Sequence, residues 1–292
     1  MIFPNIKQQL DSTFKNGQLP TLVYINKQES NRNKIERPLH KHDSICEIIL
    51  IYKGNGTYLI NNERYYIKEG DVIFYNQGDL HEVSSSIDTE IGDYCLGITN
   101  LQKIGLNFNQ LIKPDESIVR PSQNLFSTLK NLCEEMYTLS NLNEHGNLAS
   151  QLLCSSFIII TSQLSSFITK QNTSTKEMIF MSRIYNYFNT NFTEKFTLDD
   201  VAQHLGCSSS YISHLFKHNT GLTPIQYIIR RRLGLAQTLL ISTDLSVTHI
   251  ATKVGYENPN YFITSFTKII GMTPLRYRHF YLKEMRGTRN QF

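Results

Sequence analysis

The spacing of apolar residues divides the chain into three regions. From about Leu22 to Thr99, short apolar runs alternate with polar residues and are separated by glycine and asparagine turns. Short strands at this spacing predict an all-β barrel or sandwich. In residues 122–169 the apolar positions recur every three or four residues, which predicts two helices, the second from about Glu144 to Ile168. The polar stretch Lys170–Lys176 is the predicted linker, and glycine-punctuated helices follow it.

This division predicts an α+β protein with two domains, residues 1–170 and residues 171–292. Each is long enough to bury a core of its own. Residues 1–170 contain 15 Lys and Arg against 18 Asp and Glu, whereas residues 171–292 contain 14 against 7. The basic second domain predicts contact with a polyanion such as DNA, although a solvated basic surface would give the same counts.

Cysteine usage and hydropathy bear on the compartment. The five cysteines are odd in number and form no C-x-x-C pair, which argues against a disulfide framework and against a zinc ribbon. The chain does not start with a basic segment followed by an apolar run. Serine and glutamine interrupt the most apolar stretch, from Leu152 to Ile168, which favours a buried helix over a membrane span. We expect a cytoplasmic protein that does not enter a membrane.

The second domain contains an internal repeat. The segment Leu198–Tyr227 resembles the segment Val247–Tyr277, with one inserted residue in the second copy. Eight residues recur 49 or 50 positions later, and in the first copy they are Ala202, Gly206, Tyr211, Phe216, Gly221, Thr223, Pro224 and Tyr227.

Each copy has the layout of a helix-turn-helix unit. Thr197 and Ser246 are suited to cap the first helices, and Gly206 and Gly255 lie where a helix end favours a left-handed residue. In the second copy, Asn258 precedes a proline and is suited to cap the second helix. A plain helical bundle built from a repeated helical hairpin is the alternative.

The segment from about Ile179 to Tyr281 resembles the DNA-binding domain of AraC/XylS-family transcription regulators. The resemblance implies two helix-turn-helix units joined by a long helix, here roughly Pro224 to Ile241, with recognition helices in two successive major-groove segments. Gly234 stands where the family has a stronger helix former, at a cost of about 1 kcal/mol in helix propensity. The matching residues are Tyr227–Leu233, Ala236, Leu239, Leu240, Ile250, Ala251, Val254–Tyr256, Tyr261, Phe262, Phe266, Gly271, Thr273, Pro274, Tyr277 and Arg278.

Position in the motif predicts which side chains face DNA. Asparagine can pair with adenine, and serine or threonine can contact several base edges, whereas lysine and arginine more often meet phosphate. Arg232 is assigned a structural role in the linking helix. The predicted base-facing residues are Ser210, Ser213, His214, Asn258, Asn260 and Thr264, and the predicted phosphate contacts are Lys217, Lys268, Arg230 and Arg231.

A histidine cluster marks the first domain, which over roughly residues 35–90 resembles the two motifs of the cupin β-barrel. The motif residues are His40, His42, Glu47 and His81, while Asn76 departs from the cupin pattern, which has proline there. Alternate residues of a strand share a face, so the two nearby histidines are expected to point into the barrel together. Three histidines and a carboxylate suit Fe, Mn, Zn or Ni.

Two functions remain open for this barrel. It could be a metal-dependent enzyme tethered to DNA, or a sensor that binds a small effector, and the resemblance to AraC-type regulators implies the sensor. We therefore expect no catalytic residues, no cofactor and no resident metal. Tyrosine walls suit sugar stacking, although tyrosine is equally favoured in plain sheets. The predicted effector-binding residues are His40, His42, Glu47, Tyr58, Tyr75 and His81.

The predicted partners follow from the same resemblance. They are double-stranded promoter DNA, a small-molecule effector, RNA polymerase and a second copy of the chain. The helix pair of residues 122–169 is the predicted dimerisation element. Packing of both helices on their own barrel alone is the alternative.

Overall fold

The computed structural model describes residues 5–29, 37–83, 91–165 and 175–289. Its amino-terminal domain is built from antiparallel strands arranged as two facing sheets. One sheet has the order β1-β8-β3-β6-β9 and the other the order β2-β7-β4-β5. The strands are β1 (Thr21–Gln28), β2 (Arg37–His40), β3 (Cys46–Lys53), β4 (Asn55–Ile60), β5 (Glu63–Lys68), β6 (Asp71–Tyr75), β7 (His81–Val83), β8 (Gly92–Thr99) and β9 (Val119–Pro121).

The five-stranded sheet is buried on both faces. On β3, Ile48 and Leu50 belong to a core shared with helices, whereas Ile49 and Ile51 belong to the core between the sheets. Side chains alternate between the two faces of a strand, so this apolar run fills two cores at once. Glu47 has the same parity as Ile49 and therefore faces the barrel interior.

Helices cover the outer face of this sheet. They are α1 (Ile6–Thr13), α2 (Phe126–Leu139) and α3 (Glu144–Thr161). The predicted extension of α3 to Ile168 is wrong for residues 162–165, because the helix ends at Thr161 with Ser162 as its C-cap. Residues 166–168 of that prediction lie outside the described residues.

The carboxyl-terminal domain is helical. Its first helix, α4, starts at Thr175, inside the stretch predicted as a linker, whose residues 170–174 lie outside the described residues. Its helices are α4 (Thr175–Asn191), α5 (Leu198–Leu205), α6 (Ser209–Thr220), α7 (Pro224–Ser242), α8 (Val247–Lys253), α9 (Pro259–Ile270) and α10 (Pro274–Arg289).

Local signals in the sequence set the ends of these helices. The hydroxyls of Thr197 and Ser246 accept hydrogen bonds from the backbone N–H three residues ahead, as predicted. Ser208 and Asn258 cap α6 and α9 in the same way. The repeat glycines all have positive φ, between 71° and 92°, which residues with a side chain rarely adopt; they are Gly206, Gly221, Gly255 and Gly271.

Each repeat copy has its own core, and α7 contributes to both. Phe216 is fully buried among α4, α5 and α6, and Phe266 is fully buried among α8, α9 and α10. Arg232 of α7 donates to the carbonyl oxygens of Phe192, Glu194 and Gly255, at 2.5, 2.8 and 2.7 Å. The structural role predicted for Arg232 is confirmed, with partners outside its own helix. Among the described residues, none of the helices combines the length and apolar character that crossing a bilayer requires.

Candidate nucleic-acid interface and barrel pocket

The second helix of each repeat copy presents a polar ridge. On α6, Ser210, His214 and Lys217 are exposed, while Ser213 is half-buried. Ile212, Leu215 and Phe216 face the core, so the outer face of α6 is polar apart from Tyr211. A helix of this kind can enter a major groove with its amino-terminal half toward the bases.

The ridge on α9 is similar but carries amides. Asn260, Thr264 and Lys268 are exposed. Asn258 uses its side-chain oxygen as the helix cap, accepting from the backbone of Asn260 at 2.8 Å. Its amide group is therefore oriented by the cap, whereas no such bond fixes the side chain of Asn260 in the described part of the chain.

The two arginines predicted to meet phosphate lie elsewhere. Arg231 is 6% exposed; it donates to Asn189 and to the Leu39 carbonyl of the barrel. Arg230 forms an ion pair with the buried carboxylate of Glu82, also in the barrel. The assignment of Arg231 to DNA is wrong for this arrangement, because its guanidinium is buried between the domains, and Arg230 is engaged there too.

Two exposed tyrosines were missed by the sequence reasoning. Tyr211 and Tyr261 occupy the same position in the two copies and are 49% and 59% exposed. Each ring packs on an aromatic neighbour within the domain, Tyr211 on Phe180 and Tyr261 on Tyr256, with ring centroids 5.5 and 5.8 Å apart. The signal was available in the repeat, where both were counted only as identities.

The histidine cluster lies at one end of the barrel. His40 ends β2, His81 begins β7 and Glu47 lies on β3. The ligand nitrogens of His40, His42 and His81 lie within 4.8 Å of one another. His42 is in the loop after β2, not on a strand as the alternation argument assumed, yet its ring still reaches the cluster, with its centroid 5.0 Å from that of His40.

Hydrogen bonds fix the orientation of two rings. Nδ1 of His40 lies 2.9 Å from the Pro38 carbonyl oxygen, and Nδ1 of His81 lies 3.0 Å from the Asp79 carbonyl oxygen. A carbonyl oxygen only accepts, so Nδ1 carries a hydrogen in both rings, and Nε2 of each ring remains for a contact within the cluster.

Glu47 gives this cluster a negative centre. Its carboxylate lies 3.0 Å from Nε2 of His81 and 3.4 Å from Nε2 of His42. Burial alone would raise the pKa of Glu47, but hydrogen bonds and charge interactions with the two histidines hold that pKa well below its usual value.

Tyrosines continue the polar lining into the barrel. Tyr75 stacks on His81 with ring centroids 4.0 Å apart. The hydroxyls of Tyr58 and Tyr75 are buried and have no hydrogen-bond partner among the described residues. Tyr24 reaches Glu47 because Gly97 carries no side chain, and a Cβ there would overlap the tyrosine ring. The core between the sheets therefore contains, among apolar residues, two buried hydroxyl groups and a carboxylate.

Replacing Tyr58 with phenylalanine is expected to stabilise the ligand-free protein. The substitution removes a buried hydroxyl without a partner, whose desolvation costs about 1 kcal/mol or more. The check is the midpoint of thermal unfolding. Tyr185→Phe is the matched control, because its hydroxyl donates to the Asn62 carbonyl at 2.7 Å and its loss should destabilise. A lower midpoint for Tyr58→Phe would show that the hydroxyl is satisfied.

The cluster has the chemistry of a transition-metal site. His40, His42 and His81 would supply nitrogen ligands and Glu47 an oxygen ligand, a set suited to Fe, Mn, Zn or Ni. The carbonyl bonds to Nδ1 match the outer-shell bonds that orient metal-binding histidines. A bound ion would supply a Lewis acid to an oxygen-bearing ligand.

Metal analysis of the purified protein tests this use of the cluster. Because the sequence assigns no resident metal, we expect less than 0.1 equivalent of any transition metal per chain, and we expect His42→Ala to give the same value as the unaltered protein. One equivalent that disappears in His42→Ala would overturn that prediction.

Comparison with known proteins now adds to this geometry. Residues 23–159 match the family model described as the AraC-like ligand binding domain, and residues 201–279 match a helix-turn-helix domain model. The chain belongs to the AraC family of transcription regulators. It is a DNA-binding transcription regulator with a sheet-rich ligand-binding domain and a helical domain that carries two helix-turn-helix units.

Full-length relatives of this AraC-family regulator are similar over most of their length. The uncharacterized HTH-type transcriptional regulator YdiP of Escherichia coli is 28% identical over 254 residues, covering 85% of this chain and 83% of its own. The HTH-type transcriptional activator RhaR of Salmonella dublin is 26% identical over 247 residues, covering 82% and 86%. A solved carboxyl-terminal domain of the response regulator yesN of Fusobacterium nucleatum is 36% identical, covers 36% of this chain and 99% of its own, and has a TM-score of 0.32. These relatives are regulators, and the comparisons lend no support to the enzyme alternative.

Proposed function

We propose that the chain binds promoter DNA with α6 and α9 in two successive major-groove segments and releases or strengthens this binding when a small polar effector enters the barrel. The ligand-binding domain would span residues 1–170 and the DNA-binding domain residues 171–292. The observation that carries the proposal is the pair of polar ridges, each held by the same caps and left-handed glycines in both copies.

The division of labour within the ridges follows from their chemistry. Ser210, Ser213 and His214 on α6, and Asn260 and Thr264 on α9, would read base edges. Lys217 and Lys268 lie nearer the carboxyl ends of their helices and would meet phosphate. Asn258 would act through its cap, by placing the first turn of α9.

The effector class follows from the barrel interior. Buried hydroxyls at Tyr58 and Tyr75, the carboxylate of Glu47 and the rings of His40, His42 and His81 together favour a ligand rich in hydroxyl groups, such as a saccharide. A tyrosine face stacks well on the apolar face of a sugar ring. No covalent chemistry is assigned to these residues, and the protein would act as a sensor and not as an enzyme.

Thermal shift with a panel of pentoses, hexoses and deoxyhexoses tests the effector class. A ligand at 100 times its Kd stabilises the folded state by about 2.7 kcal/mol, so a clear rise in the unfolding midpoint is expected for at least one sugar. Glu47→Gln should abolish that rise, whereas Glu69→Gln, on the outer surface of the barrel, should retain it. A shift that survives Glu47→Gln would place the ligand elsewhere, and a flat panel would exclude simple sugars.

The regulator would act as a homodimer in the cytoplasm and contact RNA polymerase at its promoters. The helix pair packs on its own barrel through Phe157 and Met136, yet α3 also exposes Leu148 and Leu152, 60% and 52% exposed and one turn apart. Leu142, before α3, extends the same apolar surface and is 61% exposed. Such a stripe suits association with a second copy.

All five cysteines are unpaired, which supports a reducing compartment.

Replacing both Leu148 and Leu152 with lysine is expected to convert the dimer to monomer. Two like charges would face each other across a two-fold interface that now buries leucine. Sedimentation velocity at micromolar concentration measures the change. Thr128→Lys, exposed on α2 outside this stripe, is the control and should remain dimeric. A double variant that sediments as the unaltered protein would remove the helix pair from the interface.

A further inference from the structure

The helical domain packs directly on the barrel. Tyr227 of α7 donates to the Asn62 side chain at 2.9 Å, and Tyr185 of α4 donates to the Asn62 carbonyl at 2.7 Å. Apolar residues of the four-stranded sheet share a buried cluster with the first helix-turn-helix unit. These residues are Leu39 on β2, Leu59 on β4 and Leu80 immediately before β7. The first unit and the sheet therefore share one buried core.

Strand β2 approaches α7 more closely than a side chain would allow. A Cβ atom at Gly234 would overlap the carbonyl oxygen of Leu39 and lie 3.3 Å from Cβ of His40. Arg231, one turn earlier, donates to the same Leu39 oxygen at 3.4 Å. Glycine in a helix interior costs about 1 kcal/mol relative to alanine, so its presence here is accounted for by the approach of the strand.

Strand β7 meets the same helix through a charge. Glu82 is 2% exposed and pairs with Arg230. The second carboxylate oxygen of Glu82 has no partner among the described residues, so the pair leaves one buried acceptor unsatisfied. A buried charge with incomplete hydrogen bonding is costly, which makes this contact sensitive to small movements of either partner.

Both strands also supply the pocket. His40 is the neighbour of Leu39 on β2, and His81 is the neighbour of Glu82 on β7. On β7, neighbouring side chains point to opposite faces, so His81 enters the histidine cluster and Glu82 meets α7. On β2, the Leu39 carbonyl and the Cβ of His40 both lie against Gly234, while the His40 ring reaches the cluster. The rings of His40 and His81 are 4.4 Å apart. A ligand that shifts β2 or β7 through these rings would therefore also shift the Leu39 carbonyl or Glu82 against α7.

We propose that this contact, formed by Leu39 and Glu82 against Arg230, Arg231 and Gly234, transmits the state of the barrel pocket to the DNA-binding helices. The proposal rests on the proposed function and specifies its coupling route. Helix α7 packs on α6 and on the second unit, so a change in how it seats on β2 and β7 alters the relative placement of the two recognition helices. Glu82 and Gly234 are positioning residues, since they act through α7 and touch neither DNA nor ligand.

A double-mutant cycle on DNA affinity tests the route without knowledge of the effector. The full chain binds a duplex chosen by selection from the organism's own DNA. Glu47→Gln alters the pocket from β3, on the opposite sheet, and should change the Kd for that duplex by at least about fivefold. In a Gly234→Ala background the added methyl group keeps β2 from its close contact with α7. There, the same Glu47→Gln change should alter Kd by less than about twofold.

Matched controls separate this route from general damage. Thr238→Ala, exposed on α7, and Glu69→Gln, exposed on the barrel, should each leave the fivefold effect of Glu47→Gln intact. Glu82→Gln removes the charge without adding an atom and gives the same test where Gly234→Ala does not fold. Joint reversal in Glu82→Arg with Arg230→Glu should restore the effect that Glu82→Gln removes.

The outcomes are distinct. The route is supported if Glu47→Gln no longer changes Kd in the Gly234→Ala or Glu82→Gln background but still changes it in the control backgrounds. An effect of equal size in every background overturns it, as does a pocket substitution that leaves Kd unchanged while the unaltered chain binds the selected duplex tightly. Failure of the unaltered chain to prefer any duplex contradicts the proposed function itself, not the coupling.

Discussion

Replacing Arg232 with methionine is expected to unfold the junction between the two helix-turn-helix units. The guanidinium satisfies three carbonyl oxygens, on Phe192, Glu194 and Gly255, and lies over the ring of Tyr256. Charged hydrogen bonds contribute about 1.5–3 kcal/mol each, and carbonyls left unpaired add to the loss. We expect the free energy of unfolding to fall by about 3 kcal/mol or more, with loss of DNA binding.

Chemical denaturation and DNA affinity measure this effect together. Arg232→Lys should recover little of the stability and DNA affinity lost in Arg232→Met. The single ammonium of lysine cannot reach all three carbonyl oxygens, which the planar guanidinium contacts in different directions. Arg276→Met, exposed on α10, is the control and should change stability by less than about 0.5 kcal/mol. Full stability of Arg232→Met would mean that water satisfies these carbonyls as well as the arginine does.

Replacing Asn260 with alanine is expected to weaken specific DNA binding while leaving nonspecific binding almost unchanged. Asn260 is exposed in the first turn of α9, next to the cap that orients the helix. An asparagine bonded to one adenine contributes about 1–3 kcal/mol of discrimination, which corresponds to a loss of roughly 5–150-fold in specific affinity. The measurement is the Kd for a selected duplex and for a random duplex at the same salt concentration.

The control for this substitution is Asn131→Ala, an exposed asparagine on α2 of the other domain. It should leave both affinities unchanged. Lys268→Ala should instead weaken binding to both duplexes and reduce the dependence on salt by about one unit of slope. If Asn260→Ala weakens binding to both duplexes equally, Asn260 contacts the phosphate backbone of the DNA and does not read a base.

Local signals carried most of the prediction for the helical domain. The caps at Thr197, Ser246 and Asn258 and the repeat glycines depend on contacts within one helix turn. Their effect can therefore be predicted from the local sequence alone. The sheet domain was predicted for a similar reason, since alternation and turns define strands locally. The family resemblance then supplied the arrangement of these elements.

Long-range contacts account for what the sequence missed. Gly234 looked like a weak position in a helix because only the approach of Leu39, almost two hundred residues earlier, explains it. Arg231 looked like a phosphate contact because its burial depends on the barrel. In the pocket, His40, Glu47 and His81 were predicted together, whereas the hydrogen bonds that orient their rings depend on loop geometry no local pattern fixes.

The most direct test of two recognition helices on one duplex is competition binding by the full chain. Genomic fragments are selected for binding, and the Kd of the best fragment is compared with that of random DNA between 50 and 200 mM salt. We expect at least about a thousandfold preference for the selected duplex and a steep fall of affinity with salt. Equal affinity for both duplexes, or binding that does not depend on salt, would rule out sequence-specific recognition by α6 and α9.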